Sequence, residues 1–581
     1  MKLQPPAHPA SIRPSMKRVQ LGTEHEMIEI WGSMDTEVAA PDTIWTSIGI
    51  ITSLACSALA GGLGNTLGGS ISVLVYVHLI LATVAWHQII MRTFHSSSRL
   101  YLLQMSVVVI ALEGAGTCLG FSSIFSYPEP TIQSIFQAFA YGCLAWACYI
   151  LLALLPASLL PPTTPAWLSL LAMPVLYTAV SQVLLGELSF SSFASVGNAA
   201  LDYEPLRQMC ALGGISLVTF VVVLGSNACA RLYIDSPHPE RFASTQVFVL
   251  YGAAVLAALL SYSAFRPSAE GFYQRDVSTL IRPTLNASCI FAQGIGTHNE
   301  ADREGVWGNT LARVRNGDAI VLWAEESFSV HSAEDEAAVL ARAQRIIQDN
   351  GNGRTYLGIA YLKHLPGETL GTNHFVLIGA DGAIAWDYLK ANPVPLVEAD
   401  IAAGPRVLPT HDSIYGLRLG GAICFDFDYT DFIRQAGEKS VDVMLQPSWT
   451  WAAIHSRAFD GNAVRAIENG VSILRCSSDG ESGVISPYGK VYARQLTGHD
   501  PAAVVTFSLP VQKRVATLYT LFGYAFNGLV SAGALLIYVY LGVQRWLAQY
   551  HQALLPLGCP RGGASGRSYS SVEGVELKPR A

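Results

Sequence analysis

With 581 residues, 51% of them hydrophobic and only 14% charged, the chain lies well below the roughly one-quarter charged fraction of a soluble domain. Together with a mean hydropathy of +0.34, that deficit points to membrane spans rather than to one very large core. A net charge of -7 without a Lys/Arg run excludes a surface that tracks nucleic acid, and ten cysteines without CxxC pairs or Cys/His ligand spacing suggest neither a zinc site nor a dense disulfide framework.

Residues 1–43 are rich in Pro and charge and read as a tail, not as a signal peptide, because no apolar stretch follows the basic start until about residue 44. From there seven apolar runs, each near the ~20 residues that cross a bilayer core, predict spans at 44–62, 71–91, 101–125, 133–156, 166–187, 208–230 and 246–265. An eighth at 519–543 leads into a Gly/Ser-rich tail, 544–581. Pro156 and Pro174 fall at the end of the fourth run and inside the fifth, where membrane helices tolerate them. Cys56, Cys118, Cys143, Cys148, Cys210 and Cys229 lie in these runs and are expected as small core residues; Cys559 lies in the tail. Glu113 is the clear acid in mid-span. It is either functional, as such groups often are, or a snorkelling or helix-paired structural group. His78 and His87 lack the companions of a metal site and are assigned to helix contacts.

Residues 280–510 predict a soluble α/β domain, a two-layer sandwich with helices on its faces. A strand over Asp318–Ala324 precedes a helix that opens on the capping pattern Ser332–Asp335 and runs to about Gln348. A strand at Thr355–Leu362, a hairpin around Asp381-Gly382 and a strand at Arg418–Ile423 follow. Then come Val441–Leu445, a helix at Arg457–Glu468, Val471–Cys476 and a second hairpin at Tyr488-Gly489. Cys289 and Cys476 belong to this part, and Cys476 is assigned to core packing. Asn286-Ala-Ser288 forms a glycosylation sequon.

Three polar residues end apolar strands here: Glu325 after AIVLWA, Lys390 after AIAWDYL and Cys424 after LRLGGAI. Strand ends are where α/β folds assemble sites. A thiol near its ordinary pKa is only slightly ionised at neutral pH; a nearby ammonium favours the thiolate, and a carboxylate can take the proton. The ammonium can also stabilise the oxyanion formed when sulfur attacks a carbonyl.

The order and setting of these residues resemble the nitrilase (carbon–nitrogen hydrolase) superfamily, and within it the bacterial apolipoprotein N-acyltransferases, which place a nitrilase domain between a seventh and an eighth span. The family's Trp-Pro-Glu is similar to Trp323-Ala324-Glu325, and its Tyr-x-Lys with a Glu eight residues later to Tyr388-Leu-Lys390 and Glu398. Ile-Cys-Tyr-Glu is similar to Ile423-Cys424-Phe425-Asp426. Arg-Ala-x-Glu-x-Gly before a Leu-Val-Arg-like strand is similar to Arg465-Ala-Ile-Glu468-Asn-Gly470 and Ile473-Leu-Arg475, and the Gly-x-x-Gly-x-Ser-Phe…Asn membrane motif to the sixth span, which ends near Asn227. The chain departs from the family at Ala324, Phe425 and Asp426, and in the loop Gln446-Pro-Ser-Trp449-Thr-Trp451.

The resemblance implies Glu325 as base, Lys390 and Cys424 as its catalytic partners, and Glu398 and Asp426 as auxiliary carboxylates, with Tyr388, Phe425, Trp449 and Trp451 binding substrate. Glu326 is expected to point away from Glu325, as neighbours in a strand do, and Glu468 is assigned a structural role. No metal or cofactor is implied. The implied activity is transfer of a fatty acyl group from a phospholipid donor, through a thioester on Cys424, to an amine acceptor such as a lipoprotein N-terminus. A membrane-tethered amidase with the same triad is the alternative. A transporter or receptor that has lost catalysis fits poorly with an intact Glu–Lys–Cys set.

Lys2, Arg13, Lys17 and Arg18 precede the first span, Arg92 and Arg99 follow the second, Arg231 and Arg241 the sixth, and Arg545, Arg561, Arg567, Lys578 and Arg580 the eighth; the opposite short loops offer Arg207 alone. By the positive-inside rule both termini are cytoplasmic and residues 280–510 face the other side. A reporter fused after Arg266 should therefore read as external and one fused after Arg545 as cytoplasmic. The same side for both would rule out eight spans.

Overall fold

Long apolar runs can enter a bilayer only as structures that satisfy their own backbone polarity, and here those structures are helices. A computed structural model describes residues 43–64, 72–96, 98–121, 131–161, 164–187, 192, 195–200, 202–276, 284–292, 300–395, 397–451, 454–497 and 504–554. The predicted tails lie outside the described residues, apart from 43 and 544–554, which are helical. Of residues 1–51 only 43–51 are described, as the first turns of a helix; the packing described below lies within residues 52–581.

The membrane part contains α1 (Thr43–Gly64), α2 (Ser72–Ser96), α3 (Arg99–Phe121), α4 (Ile132–Tyr149), α5 (Ala166–Glu187), α6 (Cys210–Asp235) and α7 (Pro239–Asp276). Among the described residues seven helices are long and apolar enough to cross a membrane: six in this region and Ala525–Gln549 near the C-terminus. The first predicted span supplies a shorter apolar helix, Ser47–Leu63. The chain is a multi-pass membrane protein.

α4 opens on a reciprocal cap between Thr131 and Ser134, then continues through a wide π turn at Ile150–Leu154 into Leu155–Ser158. Pro156 lacks an N–H and crowds the carbonyl four residues earlier, and the widened turn absorbs that misfit. The carbonyl concerned, Leu152, accepts instead from the Tyr538 hydroxyl at 2.5 Å.

Glu113 is 1% exposed, so it does not snorkel. Ser57 Oγ donates to its Oε1 at 2.6 Å, and His78 Nδ1 lies 3.5 Å from its Oε2. His78 thus makes the helix contacts expected of it, with residues of two other helices, and the acid is helix-paired. The backbones around it approach closely, because a Cβ on Gly116 would lie 2.2 Å from the Ala58 carbonyl. Two of the cysteines expected in the core, Cys56 and Cys229, face outward instead; of the six, Cys210 alone is fully buried.

In the soluble part, one sheet has the order β13-β1-β2-β4-β5-β6 with β3 beside β4, and the other β12-β11-β10-β9-β8-β7. The first contains β1 (Thr284–Ile290), β2 (Ile320–Trp323), β3 (Phe328–Val330), β4 (Tyr356–Lys363), β5 (Thr372–Ile378), β6 (Ile384–Leu389) and β13 (Val504–Pro510). The second contains β7 (Thr410–Asp412), β8 (Arg418–Gly421), β9 (Val443–Trp449), β10 (Ser472–Ser478), β11 (Gly480–Ile485) and β12 (Val491–Thr497). The helices are α8 (Glu300–Arg315), α9 (Ala333–Asn350), α10 (Thr430–Glu438) and α11 (His455–Asn469); α12 (Leu518–Leu554) returns to the membrane.

β2 shows how the period-two pattern builds the layers. Ile320 and Leu322 face the core between the sheets, while Val321 and Trp323 pack under α8 and α9. Both faces are covered, which is why the strand reads as an unbroken apolar run. The predicted hairpins occur at β5–β6 and β11–β12, with Gly382 and Gly489 at positive φ of 80° and 74° in their turns. Sequence reading passed over β1, β3, β7, β13, α8 and α10.

The soluble domain is bonded to the membrane helices through α11. At Gly213 and Gly214 the chain leaves helical geometry (Gly214 φ 69°), and the Ile215 N–H freed there donates to Glu468 Oε1 at 2.8 Å. Glu468 therefore has the structural role assigned to it: it caps a broken membrane helix. Gln208 adds a bond from Nε2 to the Tyr488 carbonyl at 2.6 Å.

Cys476 requires a correction. It forms a disulfide with Cys289, bridging β10 and β1 across a separation of 187 residues and so tying one sheet of the sandwich to the other. No spacing rule links two cysteines so far apart. The sequon also sits awkwardly, since the Ser288 hydroxyl is buried and donates to Asp318 Oδ2 at 2.6 Å. Peptide mapping without reductant should recover the Cys289–Cys476 cross-link, and replacing both cysteines by Ala should cost about 2–4 kcal/mol of stability; free thiols at both positions would contradict the pairing.

Candidate active site

The three predicted residues meet where strands from both sheets end. Glu325 follows β2, Lys390 ends the β5–β6 hairpin, and Cys424 begins a turn after β8. Lys390 is 1% exposed, and its Nζ donates to Glu325 Oε1 at 2.7 Å and to the two Glu398 oxygens at 2.6 and 2.8 Å. Burial alone would lower the pKa of this ammonium; the charges of Glu325 and Glu398 reverse that and hold it well above its ordinary range. Oxygens of Glu325, Glu326 and Glu398 converge within 4.8 Å of one another, as they would around a metal, but the ammonium already supplies the cation between Glu325 and Glu398.

Glu325 is held on both oxygens. Asn373 Nδ2 donates to Oε1 at 2.9 Å and the Trp449 N–H to Oε2 at 2.8 Å. Asn373 was not among the predicted residues, because a polar residue opening a strand gives no local signal. Glu326 departs from expectation. Its φ of 53° breaks the strand alternation, so its carboxyl stays on the same side and lies 3.4 Å from the same Asn373 amide. Burial, then the charges of Glu325 and Glu398, push its pKa up to about 8, so it is a neutral acid at pH 7.

Cys424 has a positive φ of 44°, in the left-handed region that costs a residue with a side chain about 1–3 kcal/mol and that recurs at nucleophile turns. Asp426 secures the turn. Its carboxylate accepts from the Ile423 N–H at 3.0 Å, from the Asn392 N–H and Nδ2 at 2.8 Å each, and from the Tyr388 hydroxyl at 2.6 Å. Gln446 Nε2 holds the Cys424 carbonyl at 3.2 Å. Asp426 and Tyr388 are not among the residues lining the cleft, and their bonds close on the turn at Cys424.

The Cys424 thiol donates to the Trp449 carbonyl at 3.2 Å. Burial and the charge of Glu325 push it up to about 12, against the opposing pull of Lys390 and Arg475. At rest the Cys424 side chain is therefore a neutral thiol.

The cleft beside the sulfur encloses about 610 Å³, part of it open to solvent. Lys390, Glu398, Phe425, Trp449 and Trp451 line it, as the sequence predicts, together with Val394, Val397 and Ile454. Asp428, Asn462 and Arg475 add a polar side that the sequence did not single out as a site. Between Val394 and Val397, residue 396 lies outside the described residues.

No protein-family model matches the chain. It is 20% identical over 324 residues to the apolipoprotein N-acyltransferase of Rickettsia prowazekii (strain Madrid E), covering 51% of this chain and 61% of that protein. To the apolipoprotein N-acyltransferase of Pseudomonas aeruginosa (strain PAO1) it is 23% identical over 370 residues, covering 58% and 67%. Among solved structures, an amidase from Nesterenkonia sp. superposes at a TM-score of 0.35 with 18% identity, covering 40% of this chain and 94% of that one.

The two adjacent acids differ in a way that mutation can read. Glu325→Gln removes the candidate proton acceptor and should lower kcat/KM by about 10²–10⁴-fold. Glu326→Gln replaces an acid that is already neutral and should cost no more than about threefold on the same scale. Equal losses, in variants that melt like the parent, would contradict the assignment. Multi-pass in its membrane part and a two-sheet sandwich in the rest, the chain is similar to the apolipoprotein N-acyltransferases over about half its length and spans about 61–67% of theirs.

Proposed function

We propose that the chain is an acyltransferase that carries a fatty acyl group from a membrane phospholipid, through a thioester on Cys424, to an amine acceptor. The observation that carries this reading is the cover of the cleft. Val394, Phe425 and Ile454 form one apolar cluster with Ala138 of α4, and Cys118 of α3 and Tyr141 of α4 pack at its edge. A reactive sulfur whose cover is shared with membrane helices suits an acyl chain that arrives from the bilayer, and the same cover keeps water from a thioester. The likeness to the Rickettsia and Pseudomonas proteins supports the reading and suggests a lipoprotein N-terminus as the amine. The charge bias and the disulfide both favour a catalytic domain on the non-cytoplasmic side.

In this mechanism Glu325 takes the Cys424 proton as the sulfur attacks the ester carbonyl. The Lys390 ammonium, fixed by Glu325 and Glu398, faces the developing oxyanion without moving to meet it. Collapse breaks the ester bond, and the proton on Glu325 passes to the departing alkoxide of the lysolipid. The acceptor amine then attacks the thioester and gives its proton to Glu325; sulfur leaves as thiolate and recovers the proton. An amide and the free thiol result. Asp426 and Tyr388 act through the turn that presents Cys424, and Asn373 through the orientation of Glu325.

Incubated with labelled phospholipid and no acceptor, the purified protein should accumulate acyl-Cys424 and about one equivalent of lysolipid, then stall until an amine is added. Cys424→Ala should form neither. Continuous release of free fatty acid would make the protein a hydrolase, and cleavage of small amides with no phospholipid turnover would exclude a lipid donor.

A further inference from the structure

No step of that mechanism uses Arg475. It lies on β10 next to the disulfide-bonded Cys476, is 1% exposed, and lines the same cleft as Cys424. Its Nε donates to the Glu481 carbonyl at 3.1 Å, but among the described residues its Nη2 has no hydrogen-bond partner. Leaving a buried cationic donor unmade is among the costlier things a fold can do, and sites of this kind call for an explanation outside the fold's own packing. The strand that carries it is rigid: β10 lies between β9 and β11 and is tied to β1 by the disulfide.

We propose that Arg475 marks a phosphate subsite, where its unpaired Nη2 binds an anionic oxygen of the acyl donor's phosphodiester while the donor's ester carbonyl stands at Cys424. The inference rests on the phospholipid reading above and specifies which part of the donor is recognised. A planar guanidinium is better suited than an ammonium to phosphate oxygens, and the bond is charge-assisted. The cleft is divided accordingly. Val394, Phe425 and Ile454 offer an apolar side to the acyl chain, and Arg475 stands on the polar side with Asn462 and Asp428. Asp428 offsets the cation only in part, because burial pushes its pKa up to about 7 against the pull of Arg465, Arg475 and Arg457. A glycerophospholipid carries ester and phosphate on one three-carbon backbone, and Cys424 and Arg475 line the same cleft.

The test uses the full chain in neutral-detergent micelles and reads the rate of acyl-Cys424 formation by intact mass. Donors are a phospholipid and a neutral diacylglycerol with the same chains. The parent protein should prefer the phospholipid. Arg475→Gln should reduce that preference by about ten- to a hundredfold, the range one charge-assisted hydrogen bond supplies, with a much smaller fall for diacylglycerol. Arg475→Lys should retain an intermediate preference, and it carries the test alone if the Gln variant does not fold. Inorganic phosphate separates the sources. Competition in the parent protein but not in the Gln variant means that any phosphate fits the subsite; no competition, with the preference still lost, means that the lipid's phosphodiester is required. Equal falls with both donors in a folded variant, or no fall with either, would overturn the subsite. A parent protein acylated by diacylglycerol but by no phospholipid would overturn the donor reading itself, and the subsite with it, in an arm that involves no variant.

Discussion

A buried ammonium between two carboxylates is the constraint on which the site depends. Lys390 cannot stay charged at 1% exposure unless anions meet it, and removing either partner of such a buried pair typically costs about 3–5 kcal/mol. Glu325 and Glu398 meet it from separate segments, one after β2 and the other in the loop beyond β6. Their convergence fixes the ends of both segments. It also forces the third acid, Glu326, into the neutral form, since a third negative charge has no cation left to offset it.

The nucleophile depends on a second set of bonds. A thiol at a left-handed turn is held out for attack only if the strained backbone is pinned, and Asp426 does this with four hydrogen bonds from Ile423, Asn392 and Tyr388. The residues around Cys424 thus divide by function. Lys390, Glu325 and Glu398 set charge, while Asp426, Tyr388 and Gln446 set geometry. Asp in place of the family's Glu does not leave the turn unsupported, because the shorter carboxylate reaches both backbone N–H groups.

Coupling to the membrane part follows the same logic of unsatisfied groups. The break at Gly213 and Gly214 frees a backbone N–H inside an apolar bundle, where leaving it unpaired is expensive, and Glu468 answers it from the soluble domain. A Cβ at Gly214 would meet the Tyr519 ring at 2.6 Å, so close approach as well as positive φ requires glycine there. With the apolar cluster over the cleft, this ties the layer that carries the cleft to the membrane helices.

The sequence by itself determined the spans and the alternation of strands and hairpins, and it put Glu325, Lys390 and Cys424 at the ends of apolar strands, where the resemblance to the nitrilase superfamily singled them out as candidates. Those are local properties: hydropathy over about 20 residues and side-chain direction with period two. Tertiary structure decided what depends on which segments become neighbours. The Cys289–Cys476 bond spans 187 residues, and the companions of His78 come from two other helices. Asn373 reaches Glu325 only because β5 enters the same sheet as β2, and Arg475 faces the cleft only because β10 follows β9 beside Cys424. Glu326 failed the alternation rule because one left-handed residue ends the strand, and Tyr388 and Asp426 became supports rather than contacts because their bonds close on each other. Periodicity says where a strand stops, but the partner that meets its last side chain is set by sheet order and packing, which no local pattern encodes.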